Sequence, residues 1–136
     1  MTIRQLDERI LVSGQIAPHE VAGLAGEGVT MLVNNRPDGE EDGQPLASAI
    51  EEAAAAAGIA YRFVPIIRGI GPADVDAMRQ ALREAQGGKL LAFCRSGTRS
   101  AFAVSLAKRE EGAPADEVSN GLVQAGFDPT PIAHLL

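Results

Sequence analysis

Leu90-Leu91-Ala92-Phe93-Cys94-Arg95-Ser96-Gly97-Thr98-Arg99-Ser100 is the stretch on which the reading of this chain turns. A short apolar run, Lys89 to Phe93, has the length and composition of a buried strand. It runs directly into a tight loop with a glycine at its centre. Beyond the loop, Ala101, Ala103 and Leu106 belong to a helix expected over Arg99 to Glu111, stopped by Gly112. The single cysteine of the chain thus falls where the strand ends, beneath the N-terminus of a helix, with Arg95 and Arg99 within five residues. A helix N-terminus presents unpaired N–H groups and partial positive charge. A thiol held there beside arginine is expected to serve as a thiolate nucleophile, and the same N–H groups suit a tetrahedral oxyanion.

The flanking sequence supplies the setting for that loop. Short apolar runs alternate with helix-like stretches, the pattern of an α/β layered fold. Strands are expected at Arg9 to Ser13, Val29 to Asn34, Ile59 to Ile67 and Lys89 to Phe93. Helices are expected at Pro18 to Glu27, Pro45 to Ala57, Pro72 to Gln86, Arg99 to Glu111 and Ala115 to Ala125. The fold predicted is three-layered: a central, mostly parallel sheet of four to five strands flanked by helices. No repeat or linker interrupts it, so residues 1–136 are expected to form one domain. In open parallel sheets, ligands lie beyond the carboxyl ends of the strands. The loops after Asn34, Ile67 and Phe93 should therefore converge on one crevice.

Composition narrows the class of function. The chain has 136 residues, 46% hydrophobic and 22% charged, with a formal net charge of −6. That balance argues against nucleic acid or an anionic membrane as partner, since both need basic patches. One cysteine allows no internal disulfide and fits a reducing compartment. With no apolar run of membrane-spanning length and no signal-peptide layout over Met1 to Asp7, a cytoplasmic location is expected. His19 and His134 are far apart, the first expected at the surface and the second in a mobile C-terminus. With the lone cysteine they make no metal-ligand cluster, and no cofactor is expected.

Within the loop, Cys94 is the candidate nucleophile, attacking phosphorus or a sulfane sulfur. Gly97 lets the backbone approach an anion closely. Arg99 offers a planar fork of donors for two oxyanion oxygens. Ser100 is placed to donate a hydroxyl hydrogen bond to the sulfur. Ser96 joins the anion-binding set, together with Arg95 and Thr98, which point either to substrate or to solvent. Arg36, in the polar loop after the second strand, either adds positive charge to the substrate site or pairs with Glu40 or Glu41. The loop after Ile67 carries no carboxylate before Asp74, which reads as a first-turn residue of a helix. Asp38 is the remaining candidate for a proton donor, although Pro37-Asp38-Gly39 is also an ordinary turn.

These residues carry a resemblance. Cys94 to Ser100 resembles the Cys-x5-Arg-Ser/Thr loop of cysteine-dependent phosphatases, shortened by one residue to Cys-x4-Arg. The shorter form also resembles the Cys-Arg-Ser-Gly-x-Arg-Ser loop of rhodanese-like sulfurtransferases. Together with Asn34 to Glu40 and Tyr61-Arg62-Phe63-Val64-Pro65, it is similar to the phosphatase-like domain of beta-lactamase-hydrolase-like proteins. That resemblance implies a dual-specificity-phosphatase-like fold. It also implies a phosphorylated or sulfane-sulfur substrate and, in some members, a metal-dependent partner domain of sulfide metabolism. Three functions follow as expectations. The first is a cysteine-dependent phosphatase, the second a sulfurtransferase carrying a persulfide on Cys94, and the third a non-catalytic anion-binding or redox-sensing module.

Overall fold

In the computed structural model, which describes residues 2–85 and 87–136, five strands form one sheet in the order β1-β2-β5-β3-β4. The strands are β1 (Ile3–Gln5), β2 (Ile10–Ser13), β3 (Val29–Asn34), β4 (Ala60–Phe63) and β5 (Lys89–Phe93). β5 lies in the middle, parallel to both β2 and β3, and β4 is parallel to β3. Only β1 runs antiparallel, pairing with β2 at one edge. The central strands are buried on both faces, so they read as continuous apolar runs rather than alternating ones. Leu90, Leu91, Ala92 and Phe93 are each no more than 1% exposed.

The helices are α1 (Val21–Gly26), α2 (Ala47–Ala56), α3 (Pro72–Glu84), α4 (Thr98–Glu110) and α5 (Ala115–Gln124). Side-chain alternation along the strands sorts them into two layers. Leu11, Leu32, Leu91 and Phe93 pack with Val21 and Leu24 of α1 and with Ile50 and Ala54 of α2. Val12, Val33, Leu90 and Ala92 face the other way, onto Met78 of α3, Val104 of α4 and Leu122 of α5. Each fully buried Leu, Ile or Val contributes roughly 1.5–3 kcal/mol. The expected three-layer α/β architecture, with its mostly parallel sheet, is therefore the one observed.

Four local features differ from the sequence reading. β1 has no apolar run: Ile3-Arg4-Gln5 is a partly exposed edge, recognisable only once its partner β2 exists. The strand expected over Ile59 to Ile67 ends at Phe63, because Pro65 cannot donate to a ladder. From there the chain follows β3 outward, with the Val64 N–H on Asn34 O at 2.9 Å and the Ile66 N–H on Asn35 O at 3.0 Å. The helix expected from Pro18 opens as a 3-10 turn, Pro18–Glu20, before α1 begins. The C-terminus is docked rather than loose. Thr130–Leu135 forms a 3-10 helix with Ile132 buried, and Arg109 Nε donates to Leu136 O at 3.2 Å. Met1 and the expected helix end at Gln86 lie outside the described residues.

Candidate active site

The end of β5 delivers Cys94 to the floor of the loop, where it is 1% exposed. The Gly97 N–H donates to Cys94 Sγ at 3.1 Å. Gly97 turns the chain with φ +96°, a left-handed conformation that glycine adopts without strain, and α4 starts at the next residue. By helix geometry, the N–H groups of Thr98, Arg99 and Ser100 have no acceptor within α4.

Two neighbouring segments brace this loop. The turn after β2 lies alongside it, with the Cys94 N–H on Ser13 O and the Gln15 N–H on Arg95 O, both at 3.3 Å. Contact there is close enough that a Cβ on Gly14 would stand 2.9 Å from Arg95 O. Gly14→Ala should therefore displace the loop, lowering kcat/KM for the substrate by about tenfold while thermal unfolding shifts by only a few degrees. Parallel kinetics and calorimetry check this. On the other flank, Asn35 ties three elements together. Its backbone N–H donates to Phe93 O at 2.8 Å, its Nδ2 to Val64 O at 2.9 Å, and its Oδ1 accepts from Ser100 Oγ at 2.8 Å. The Ser100 hydroxyl, expected on the sulfur, is thus directed at Asn35. It secures the start of α4 to the loop after β3.

Arg99 is held from two sides. Its Nη1 donates to Glu40 Oε2 and to Ile66 O, both at 2.8 Å, and its Nη2 donates to Glu40 Oε1 at 2.8 Å. A guanidinium has five N–H groups. These three bonds leave Nε–H and the second Nη2–H, which form a two-donor edge of the fork. Glu40 reinforces the charged form of Arg99 most, burial opposes it, and the electrostatic interaction with Cys94 adds to it. Reciprocally, the Arg99 hydrogen bond is the main cause holding the Glu40 carboxyl down at about 2, with Arg36 assisting against burial. Glu40 is therefore ionised throughout the neutral range, and it orients the arginine rather than exchanging protons.

Arg36 takes the pairing alternative. It is 1% exposed, with Nε on Glu40 Oε1 at 2.9 Å, Nη1 on Gln15 Oε1 at 3.0 Å and Nη2 on Glu41 Oε1 at 3.2 Å. Arg95 is exposed and meets Glu41 at 3.5 Å. Ser96 and Thr98 are also exposed, and their hydroxyls bond to each other at 3.2 Å. Asp38 Oδ1 accepts the Ala47 N–H at 2.8 Å and caps α2. Asp74 Oδ2 accepts the Gly71 N–H at 2.9 Å and caps α3. Both aspartates thus have structural duties at helix N-termini. Among the described residues, no helix is long and apolar enough to cross a membrane.

The structure brings Cys94, Gly97, Arg99 and the N-terminus of α4 into one cradle, with Arg36 behind it. Sequence reasoning missed Glu40 as the partner of Arg99, Asn35 as the tie between strand ends, and Gln15 and Gly14 as the brace. A weak signal existed for Glu40, whose position four residues after Arg36 marked it as an ion-pair partner. Nothing in the order of residues linked it to Arg99.

Comparison with known proteins agrees with the fold. The family model described as beta-lactamase hydrolase-like protein, phosphatase-like domain, matches residues 2–111. The Beta-lactamase hydrolase-like protein of Xylella fastidiosa is 38% identical over 130 residues, covering 94% of this chain and 30% of that protein. The chain thus spans under a third of the length of that relative. The crystal structure of a candidate phosphatase from Neisseria meningitidis superposes with a TM-score of 0.81 at 31% identity, covering 98% of this chain and 95% of that one. The kinase associated phosphatase, at 14% identity and a TM-score of 0.73, covers 98% of this chain and 90% of its own, and shares the fold.

Proposed function

The chain belongs to the phosphatase-like domain family of the beta-lactamase hydrolase-like proteins, and from that premise we propose that it is a cysteine-dependent phosphatase acting on phosphate monoesters. Cys94 Sγ attacks phosphorus in line with the leaving oxygen. An S–P bond forms as the P–O bond to the leaving group breaks, giving a phosphocysteine. Water then attacks phosphorus, the S–P bond breaks, and the thiolate returns with release of inorganic phosphate. Charge on the equatorial oxygens falls to the loop N–H groups and to the Nε–H and Nη2–H edge of Arg99, donors already fixed in place. The observation that carries this reading is the Cys94 sulfur under the Gly97 N–H, next to an arginine whose other edge is locked by Glu40.

The leaving oxygen needs a proton or must depart as a stable anion. Asp38→Asn separates the two roles open to that residue, because an amide oxygen preserves the cap on α2. With Asp38 acting as a cap, turnover of aryl phosphate by the variant stays within about threefold of the parent. A general acid would instead cost about 10²-fold or more.

A second reading is favoured by the lack of a carboxylate between Ile66 and Pro72. Sulfur transfer needs no protonated leaving oxygen. Cys94 would attack the sulfane sulfur of thiosulfate, the S–S bond would break, sulfite would leave, and the persulfide would pass to an acceptor thiol. One side-by-side assay of aryl phosphate hydrolysis and of sulfite release from thiosulfate tests the proposal. Phosphate release supports it, and sulfite release without phosphate release replaces it with the second reading.

A further inference from the structure

An apolar cavity of about 370 Å³ adjoins the anion loop on the side of the β4–α3 connection. Ile66 and Ile70 form one wall, Phe102 and Leu106 of α4 a second, and Ile132 and Leu135 of the C-terminal 3-10 helix a third. Ile66 and Ile132 are buried, Phe102 and Ile70 are half-buried, and Leu135 is 56% exposed at the rim. Among the described residues, Arg99 is the one charged residue lining this space, and its Nη1 is bonded to the backbone of Ile66, another wall residue.

The cavity and the cradle therefore share one cation. That places a guanidinium, paired with Glu40 on one edge and open on the other, beside a largely hydrocarbon-lined recess. Ligand sites of about 300–1,000 Å³, mostly apolar with a few placed polar groups, are the usual form for small molecules. A wholly neutral hydrocarbon would gain nothing from Arg99. A hydrophilic phosphoester would leave the recess filled with poorly bonded water. A molecule with an oxyanion at one end and a hydrocarbon group next to it satisfies both parts at once.

We propose that this cavity is a specificity subsite for the hydrocarbon portion of a small amphiphilic substrate whose oxyanion sits on Cys94 and Arg99. The assignment rests on the phosphatase reading for the placement of the oxyanion. It further assigns the loop 66–70 and the C-terminal 3-10 helix to substrate selection. Burial of apolar surface is the driving force, and each methylene enclosed should tighten binding by up to about fourfold.

The test uses alkylphosphonates, which carry the oxyanion but have no scissile ester. Dissociation constants for methyl-, butyl- and hexylphosphonate are measured by calorimetry on the full chain, with aryl phosphate hydrolysis assayed in parallel. Affinity is expected to rise at least tenfold from methyl to hexyl. Leu135→Asp and Ile70→Asn should each flatten that series while methylphosphonate binds as in the parent, which also shows that the variants fold. A flat series in the parent overturns the subsite, as does a rise that survives both variants. A peptide-docking surface would give the flat result. Failure to hydrolyse aryl phosphate alongside a steep series would discard the phosphatase reading and leave the subsite standing.

Discussion

Cys94→Ser is expected to reduce hydrolysis of aryl phosphate by about 10⁴-fold or more. The hydroxyl keeps the size and the Gly97 hydrogen bond, so the fold and the cradle should survive. What disappears is the nucleophile: an alkoxide is not available at neutral pH, and among the described residues neither histidine is hydrogen-bonded to Cys94 to generate one. His19 lies in the 3-10 turn that precedes α1, and His134 lies in the C-terminal 3-10 helix. Steady-state kinetics measure the loss. Retained binding of a phosphate analogue, read by calorimetry, would show that the cradle is intact. Turnover near the parent level would dismiss the covalent mechanism.

The second large effect concerns the Glu40–Arg99 pair. Arg99→Lys replaces a planar fork with a point charge, which cannot hold Glu40 and two oxyanion oxygens at fixed angles. A fall in kcat of about 10²–10³-fold is expected, the scale of removing a preorganised transition-state donor. Glu40→Gln keeps the arginine but weakens its anchor, and a smaller loss of about tenfold in kcat should result. The pair also has a pH signature. The Glu40 carboxyl titrates at about 2 in the fold, below its ordinary 4.5. Its stabilising contribution is thus complete above the unfolded value and is lost as pH falls from about 5 toward 2. Acid unfolding followed by circular dichroism should begin at lower pH and be steeper in the parent than in Glu40→Gln, whose stability lacks that contribution at every pH.

How far the fold could be read from residue order follows from the range of the contacts involved. The strand–loop–helix unit from Lys89 to Glu110 is local: apolar run, cysteine, glycine turn and helix succeed each other, and each has a propensity of its own. The parallel sheet followed from the helical crossovers between strands. β1 stayed invisible because an edge strand of Ile-Arg-Gln depends on its neighbour for definition. The docked C-terminus was missed for a similar reason, since Arg109 reaches Leu136 and Ile132 joins the core only after α4 has packed. In the site, Cys94, Gly97 and Arg99 were legible because one loop carries them all. Glu40 and Arg99 are 59 positions apart, and Asn35 and Ser100 are 65 apart. Those pairs exist because β3 and β5 are neighbours in the sheet, a fact of topology that no spacing encodes.

The pairing of Arg36 with Glu40 and Glu41 gives the cradle a rigid back. A buried guanidinium must be fully partnered to be tolerated, and this one has three acceptors. Arg36 thus supports Glu40, which in turn aims Arg99.

The most direct test of the nucleophile and its cargo is the mass of the intact protein after rapid acid quench with aryl phosphate, followed by peptide mapping of Cys94. A phosphoryl adduct on Cys94, about 80 Da heavier than the thiol and absent from Cys94→Ser, is the result expected from nucleophilic catalysis at this thiolate. An unmodified Cys94 during active turnover, or phosphate carried on any other residue, would contradict it.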